Sequence, residues 1–186
     1  MERNLTQIAL FASLIAVMGL APKIDLASGV PITAQSLGVM LCGTVLGPKR
    51  GALAVCLFLL ITLAGLPLLS GGRGGLGILA SPTVGYLIGF PIAAFVAGWV
   101  TARWTAPIAI ASSLGAALGG ILVLNIFGII GMSIMLDKAI GEAAMLAAPF
   151  LIGDTIKSVL TGLITHAIAK ARPDALLSRQ HGSQSD

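Results

Sequence analysis

Long apolar runs separated by short polar breaks occupy most of this sequence, and they constrain its fold more than any other feature. Apolar residues make up 56% of the 186 residues and charged residues only 10%, whereas a soluble domain carries about 25% charged residues. A chain with so little polar surface cannot cover a globule in water. The composition therefore excludes a soluble enzyme, a disordered chain and a nucleic-acid-binding protein, and it predicts an all-α integral membrane protein.

The apolar runs are numerous enough for a bundle of six transmembrane helices, because each span needs about 20 residues. The predicted helices cover approximately residues 5–20, 32–47, 51–66, 82–101, 107–131 and 149–171. The second helix is short, since its roughly 16 residues rise only about 24 Å. The charged stretch 132–148 is expected to form an interfacial helix or a structured loop. Residues 1–171 are thus predicted to form one transmembrane domain, followed by a polar, disordered cytoplasmic tail at 172–186.

The distribution of basic residues predicts the orientation of this bundle, because cytoplasmic loops are enriched in Lys and Arg. With a cytoplasmic N-terminus, seven basic residues fall in inner segments and three in outer loops. The inner set is Arg3, Lys49, Arg50, Arg103, Lys170, Arg172 and Arg179, and the outer set is Lys23, Arg73 and Lys138. Both termini are therefore predicted to be cytoplasmic, with the first, third and fifth loops facing outward.

Asp154 and Lys157 are the most informative side chains, because both lie within the predicted sixth span. Ionisable groups inside a membrane are costly, and they usually face a cavity or one another. A spacing of three residues places the pair on one face of a helix, about 7 and 12 Å below its expected outer end. The position predicts a pocket open to the outside. An ion pair that only holds helices together is the second interpretation.

A glycine-rich loop precedes the fourth helix, with five glycines among residues 71–77. The loop lacks the Gly-Lys-Ser/Thr ending of a P-loop, so nucleotide binding is not expected. Its glycines allow the backbone to approach a ligand or a lid to move, and a plain flexible turn is the alternative. Arg73 is the only charged residue of the loop and a candidate anion contact, with Gly74 and Gly75 beside it.

Three further polar residues are candidates for the same pocket. Gln35 opens the short second helix at its outer end, where Thr33 and Ser36 could also line the cavity. Tyr86 is the single tyrosine, and it is either an interfacial anchor or a stacking surface for a ligand. Asn125 lies deep in the fifth helix, where it either hydrogen-bonds a neighbouring helix or contacts the ligand.

Small residues mark one face of the first helix. Ala12 and Ala16 form a small-xxx-small pattern, and Ala9 extends the same face. Such a pattern allows another helix to approach closely. Cys42 and Cys56 are interpreted as small packing residues, because the sequence has no Cys/His cluster of the kind that binds a metal.

Four motifs then occur in a characteristic order. They are Pro-Ile-Thr-Ala-Gln-Ser at 31–36, Leu-Gly-Pro-Lys-Arg-Gly at 46–51, Gly-Gly-Arg-Gly-Gly at 71–75 with Ser-Pro-Thr-Val-Gly-Tyr-Leu-Ile-Gly-Phe at 81–90, and Gly-Asp-Thr-Ile-Lys at 153–157. Together they resemble the BioY family, the biotin-specific S components of energy-coupling-factor (ECF) transporters. The resemblance extends over approximately residues 5–171.

This resemblance implies six helices in a bacterial inner membrane and capture of biotin from outside. Asp154 and Lys157 match the family's G-D-x-x-K motif, which belongs to its biotin site. The resemblance also implies a membrane coupling protein, which docks on the small-residue face around Ala12 and Ala16, and two ABC-type ATPase subunits. The chain has no nucleotide motif, so we expect no enzyme activity and no cofactor of its own, with ATP used only by the partner subunits.

The closeness of Asp154 and Lys157 favours contact with one end of biotin. Asp154 would accept a ureido N–H and Lys157 would donate to the ureido oxygen, both in charge-assisted hydrogen bonds. The biotin carboxylate would then point toward Arg73 or the loop amides. The alternative assigns Lys157 to the carboxylate.

Three other functions stay open at this point. The chain could be an S component for another vitamin such as thiamin or riboflavin, although its few aromatic residues disfavour a large flat ring. It could be a small intramembrane enzyme, but no nucleophile–base pair or metal triad is evident. It could also be an assembly protein in which Asp154 and Lys157 form only a structural ion pair.

Overall fold

The computed structural model describes residues 2–26 and 28–182, and within them it contains six long helices and no named β-strand. The helices are α1 (Glu2–Met18), α2 (Gln35–Leu46), α3 (Pro48–Leu63), α4 (Val84–Arg103), α5 (Ile108–Met135) and α6 (Ile140–Ala171). Short 3-10 turns cover Leu76–Ala80, Pro173–Ala175 and Leu177–Gly182. The predicted all-helical architecture is confirmed.

The long helices have the length and composition of membrane spans. α4, α5 and α6 contain 20, 28 and 32 residues and are apolar enough to cross a bilayer. α1 and α2 are shorter apolar helices. α2 has only 12 residues, and nearly all of them are buried, so this short helix lies in the interior of the bundle. The protein is therefore a multi-pass membrane protein.

The centre of the bundle is formed by α2 and α4. α4 contacts α2, α3 and α5, while α2 also contacts α1, α3 and α6. α5 packs along α6, and α1 packs against α2 and α3. The close approach at one end of α4 requires glycine, because a Cβ atom on Gly98 would lie 2.6 Å from the backbone nitrogen of Pro48. Small residues permit such backbone-to-backbone packing between transmembrane helices.

The expectation of a separate interfacial helix or structured loop at 132–148 is wrong. α5 continues to Met135, a short turn follows, and α6 already begins at Ile140. The first part of α6 packs against the bundle, because Ala143 and Ala147 are buried. The charged residues of this stretch suggested an interface, but the burial of its small apolar residues decides the local structure.

Proline and serine positions explain two other differences in helix boundaries. Pro149 lies inside α6 instead of beginning it, since transmembrane helices tolerate an internal proline where neighbouring groups satisfy the freed backbone. The fourth helix begins at Val84, with Thr83 as its N-cap residue and no side-chain cap. The hydroxyl of Ser81 lies 2.6 Å from the Thr83 hydroxyl.

Short 3-10 turns continue after α6 as far as Gly182, residues 183–186 lie outside the described residues, and the disorder expected for 172–186 stays a prediction. Leu177 and Ser178 are buried. Arg179 donates hydrogen bonds to three backbone oxygens at and beyond the end of α4, those of Thr101 (3.2 Å), Trp104 (2.7 Å) and Ala106 (2.7 Å). Arginine thus satisfies carbonyl groups that the helix end leaves unpaired.

Candidate functional site

A cavity lies among the starts of α2 and α4, the loop after α3, and parts of α5 and α6. Its empty space measures about 560 Å³, including the part open to solvent. The lining residues are Val30, Pro31, Thr33, Gln35, Ser36, Leu69, Arg73, Thr83, Tyr86, Leu87, Phe90, Leu124, Phe150, Asp154 and Lys157. Five of the eight residues predicted to contact a ligand are therefore brought together here.

The polar centre of this cavity is the ion pair on α6. Lys157 Nζ donates to Asp154 Oδ1 at 3.1 Å and to Ser36 Oγ on α2 at 2.8 Å. The side chains of Lys157 and Asp154 are only 14% and 6% exposed. A lysine ammonium carries three donors, and two are used within the described part of the chain. One N–H therefore remains for a ligand, next to a carboxylate acceptor.

The walls beside the ion pair are apolar and aromatic. The rings of Tyr86 and Phe150 meet at a tilt of 47°, with their centroids 5.5 Å apart, and Leu87, Phe90 and Leu124 complete this side. The Tyr86 hydroxyl is buried and has no hydrogen-bond partner among the described residues. Buried tyrosine hydroxyls usually find a partner, so a ligand atom in the cavity would satisfy this one.

Arg73 brings a second positive charge to the cavity wall. Its loop is closed by paired backbone hydrogen bonds with Leu69, at 2.9 and 3.2 Å. The Arg73 Nε donates to the backbone oxygen of Ser70 at 3.4 Å. The two terminal guanidinium nitrogens form no hydrogen bond within the described residues. They are available to an anionic group of a ligand, because guanidinium pairs well with carboxylates.

The two glycines beside Arg73 do not line the cavity. A Cβ atom on Gly74 would overlap the backbone of Leu66. Gly75 has a φ of +76° and donates its N–H to the Thr62 oxygen at 2.8 Å. Both glycines therefore seat the loop against the end of α3 and so position Arg73.

Gln35 lines the cavity, but its amide is fully engaged with the protein. The Nε2 donates to the backbone oxygens of Ile15 (3.2 Å) and Leu68 (3.0 Å), and the Oε1 accepts from the Ser70 N–H at 3.1 Å. The side chain is 2% exposed. Gln35 thus joins α1, α2 and the loop after α3, and it fixes the wall of the cavity instead of offering free polar atoms.

Asn125 is not among the residues that line the cavity, but its side chain interacts with the Asp154 carboxylate on the neighbouring helix. Its Nδ2 donates to the Ile121 oxygen of its own helix at 2.8 Å. The Oδ1 is buried without a hydrogen-bond partner in the described structure. The neighbouring Leu124 is the residue of α5 that lines the cavity.

The face of α1 that carries small residues is divided between interior and surface. Ala12 is 5% exposed and belongs to the core, which disagrees with its predicted contact to a partner. Ala16 is half-buried and Ala9 is exposed. Ser13 is also exposed, and its hydroxyl donates to the Ala9 oxygen at 2.9 Å. The exposed small residues of α1 are therefore Ala9 and Ser13.

Sequence reasoning missed the aromatic part of the cavity. Phe90 and Phe150 carry no polar signal, and apolar residues of transmembrane helices face lipid as often as they face an interior pocket. Both residues are buried, at 7% and 5% exposed. The only available signal was distance along α6, since Phe150 lies one helical turn before Asp154.

Comparison with known proteins identifies the family of this chain. The sequence matches the BioY family over residues 2–174. The chain belongs to the BioY family. It is 49% identical over 189 residues to the biotin transporter BioY of Rhodobacter capsulatus, covering 96% of this chain and 100% of that protein. The BioY protein of Rhizobium etli, also named a biotin transporter, is 44% identical over 178 residues, which cover 92% and 95% of the two chains.

A solved structure agrees with this BioY assignment. The crystal structure of the S-component for biotin from an ECF-type ABC transporter superposes with a TM-score of 0.84. The two chains are 30% identical, with 90% and 91% of their lengths covered. The resemblance inferred from the four motifs is confirmed. Within the described residues, no group of three or more His, Cys, Asp or Glu side chains is arranged to hold a metal ion.

Proposed function

We propose that this chain is the biotin-binding S component of an ECF-type transporter, a capture subunit and not an enzyme. The observation that carries the proposal is the cavity in which a nearly buried Asp154–Lys157 pair faces aromatic walls. Ionisable groups inside a membrane protein mark substrate sites when they face a cavity. The family assignment and the named relatives support biotin as the ligand over other vitamins.

The chemistry of biotin matches the two ends of this cavity. The ureido group offers N–H donors and one oxygen acceptor, which suit Asp154 and the remaining N–H of Lys157. Both hydrogen bonds would be charge-assisted. The apolar ring system would then contact Tyr86 and Phe150, and the buried Tyr86 hydroxyl would gain a partner. The valerate carboxylate would lie beside Arg73.

The distribution of charge supports the orientation in the membrane. Lys49, Arg50 and Arg103 lie at the end of the bundle opposite to the biotin cavity, and basic residues favour the cytoplasmic side. The cavity would then open to the outside of a bacterial inner membrane, with both termini in the cytoplasm. Biotin captured there would close the outer loops before transport.

Partner subunits supply the energy in this proposal, because the chain carries no nucleotide-binding motif. They comprise a transmembrane coupling protein and two ABC-type ATPases. The exposed small residues of α1, Ala9 and Ser13, with the half-buried Ala16 at their edge, form the proposed docking face for the coupling protein. Small residues there would let a partner helix approach closely.

Biotin binding to the purified protein tests the proposal directly. Asp154→Asn removes a buried acceptor charge and should weaken binding by at least tenfold, because hydrogen bonds to charged groups contribute about 1.5–3 kcal/mol. The matched control is Asp137→Asn in the turn before α6, where the positive φ of +51° also suits asparagine. Tight binding that survives in Asp154→Asn would make the Asp154–Lys157 pair a structural contact between helices.

Biotin methyl ester distinguishes the two ends of the ligand. Arg73→Gln should lose the preference of the wild type for biotin over its methyl ester, while Lys157→Ala should weaken both ligands equally. If Lys157→Ala loses this preference and Arg73→Gln keeps it, Lys157 holds the carboxylate and the proposed direction of biotin is reversed.

A further inference from the structure

A second cavity lies at the end of the bundle opposite to the biotin cavity. It is formed by the end of α2, the start of α3, the end of α4 and the segment after α6, and its empty space measures about 1020 Å³, including the part open to solvent. Lys49, Arg50 and Arg103 line it. In the described parts of the chain, none of these three cations forms a salt bridge with a carboxylate. Positive charge is therefore concentrated here, and none of the residues that line the cavity is acidic.

The start of α3 adds to this positive potential. Its first turn contains Lys49 and Arg50 and has no acidic residue. Its N-cap residue is Gly47, so no side chain caps the helix. The N–H groups of a first helical turn are unpaired, and the helix dipole favours an anion there. Two cations at such a position are unfavourable by themselves, and a bound anion would reverse the balance.

Ser178 provides independent evidence for a ligand. This residue lines the same cavity and is 5% exposed, and its hydroxyl has no hydrogen-bond partner in the described structure. Buried polar side chains are nearly always hydrogen-bonded. Arg179 and the buried Leu177 hold Ser178 against the start of α3, since a Cβ atom on Gly47 would lie 3.3 Å from the Ser178 Cα. A buried hydroxyl donor is thus built into the wall of a basic cavity.

We propose that this second cavity binds a phosphate group, and that the phosphate belongs to the headgroup of an anionic phospholipid. The two tryptophans of the chain, Trp99 and Trp104, lie at the same end of α4 and are 46% and 43% exposed. Tryptophan is enriched at the headgroup level of a membrane. Guanidinium and ammonium groups recognise phosphate, and basic pockets between transmembrane helices bind anionic headgroups.

The test uses the full-length protein in a neutral detergent. Native mass spectrometry and thermal unfolding are measured with phosphatidylglycerol, phosphatidylcholine or inorganic phosphate. The double variant Lys49→Gln/Arg50→Gln is compared with Lys170→Gln/Arg172→Gln, which removes the same charge from the same end of the bundle but outside the cavity. Ser178→Ala is the mildest probe, because it removes only the unpaired hydroxyl.

We expect phosphatidylglycerol to bind the wild type more tightly than phosphatidylcholine. The Lys49→Gln/Arg50→Gln variant should bind it about 30-fold more weakly, because each cation near a lipid surface contributes about fivefold. Ser178→Ala should weaken binding about fivefold, and the control pair should change it less than about twofold. Thermal unfolding of every variant without added lipid should equal that of the wild type, which reports that the bundle stays folded.

Four results would overturn the proposal. Equal retention of both lipids would show that no headgroup is recognised, and equal weakening by the control pair would indicate general surface attraction. Stabilisation by inorganic phosphate without any preference for phosphatidylglycerol would assign the cavity to a free anion. Unchanged binding of phosphatidylglycerol by Lys49→Gln/Arg50→Gln would show that the cations of this cavity do not hold the headgroup. None of these results depends on whether biotin is the ligand of the first cavity.

Discussion

The substitution Lys157→Met asks whether the buried ion pair serves the ligand or the fold. The side chains of Lys157 and Asp154 are 14% and 6% exposed and lie 3.1 Å apart. Removing one partner of a buried ion pair costs about 3–5 kcal/mol, because the other charge is left uncompensated. Ser36 also loses a donor at 2.8 Å. We expect the melting temperature in detergent to fall by roughly 6–20 °C, at about 2–4 °C per kcal/mol.

The double variant Asp154→Leu/Lys157→Met gives the decisive comparison. Replacing a whole buried ion pair by apolar residues is often neutral or stabilising by about 1–4 kcal/mol. If the pair exists for the ligand, the double variant should regain the thermal stability of the wild type and bind no biotin in isothermal titration. Lys138→Met is the matched control, because its ion pair with Glu142 is exposed and such pairs contribute about 1 kcal/mol at most.

Two results would refute this reasoning. A double variant as unstable as Lys157→Met would show that the pair contributes to folding, through the contact that Lys157 makes with Ser36 between α6 and α2. A double variant that binds biotin with wild-type affinity would show that the polar contacts of the ligand lie elsewhere in the cavity.

Three further predictions concern other parts of the bundle. Ala9→Trp should reduce biotin uptake by cells at least tenfold and leave biotin binding by the purified protein unchanged. Leu10→Trp, at an adjacent exposed position, should change neither uptake nor binding. Arg179→Ala should lower the free energy of unfolding by about 2 kcal/mol through lost hydrogen bonds, and it should speed chymotrypsin cleavage at Leu176 and Leu177. The control Arg172→Ala should leave both quantities unchanged. Gly98→Ala should destabilise by more than about 2 kcal/mol through overpacking, whereas Gly77→Ala, with nothing within 4 Å, should have little effect in thermal unfolding.

The fold class and the polar centre of the site could be predicted from the sequence. Apolar runs with few charges have one stable environment, which is a membrane, and continuous apolar runs of about 20 residues span it as helices, which satisfy their own backbone hydrogen bonds. The spacing of Asp154 and Lys157 leaves a single arrangement on a helix, so their contact follows from local geometry alone. Arg73 could be predicted for a similar reason, because it is the only charge in a glycine-rich loop.

The rest of the site depends on contacts between distant segments, which local patterns do not encode. Gln35 looked like a ligand contact, but its amide is used by backbone groups of α1 and the loop after α3. Ser36 became a partner of Lys157 only because α2 packs beside α6. Asn125 and the two loop glycines lie outside the cavity wall for the same reason.

Burial at the ends of the helices was also decided by tertiary structure. The sequence by itself determined that the chain is a helical membrane protein with an ion pair inside one span, because those properties depend on composition and on a spacing of three residues. Tertiary packing decided that Ala12 faces the core, that Pro149 lies inside a helix and that Ser178 lines a basic cavity. Each outcome depends on which neighbouring backbone fills the space beside the residue, and that neighbour is supplied by a remote part of the chain.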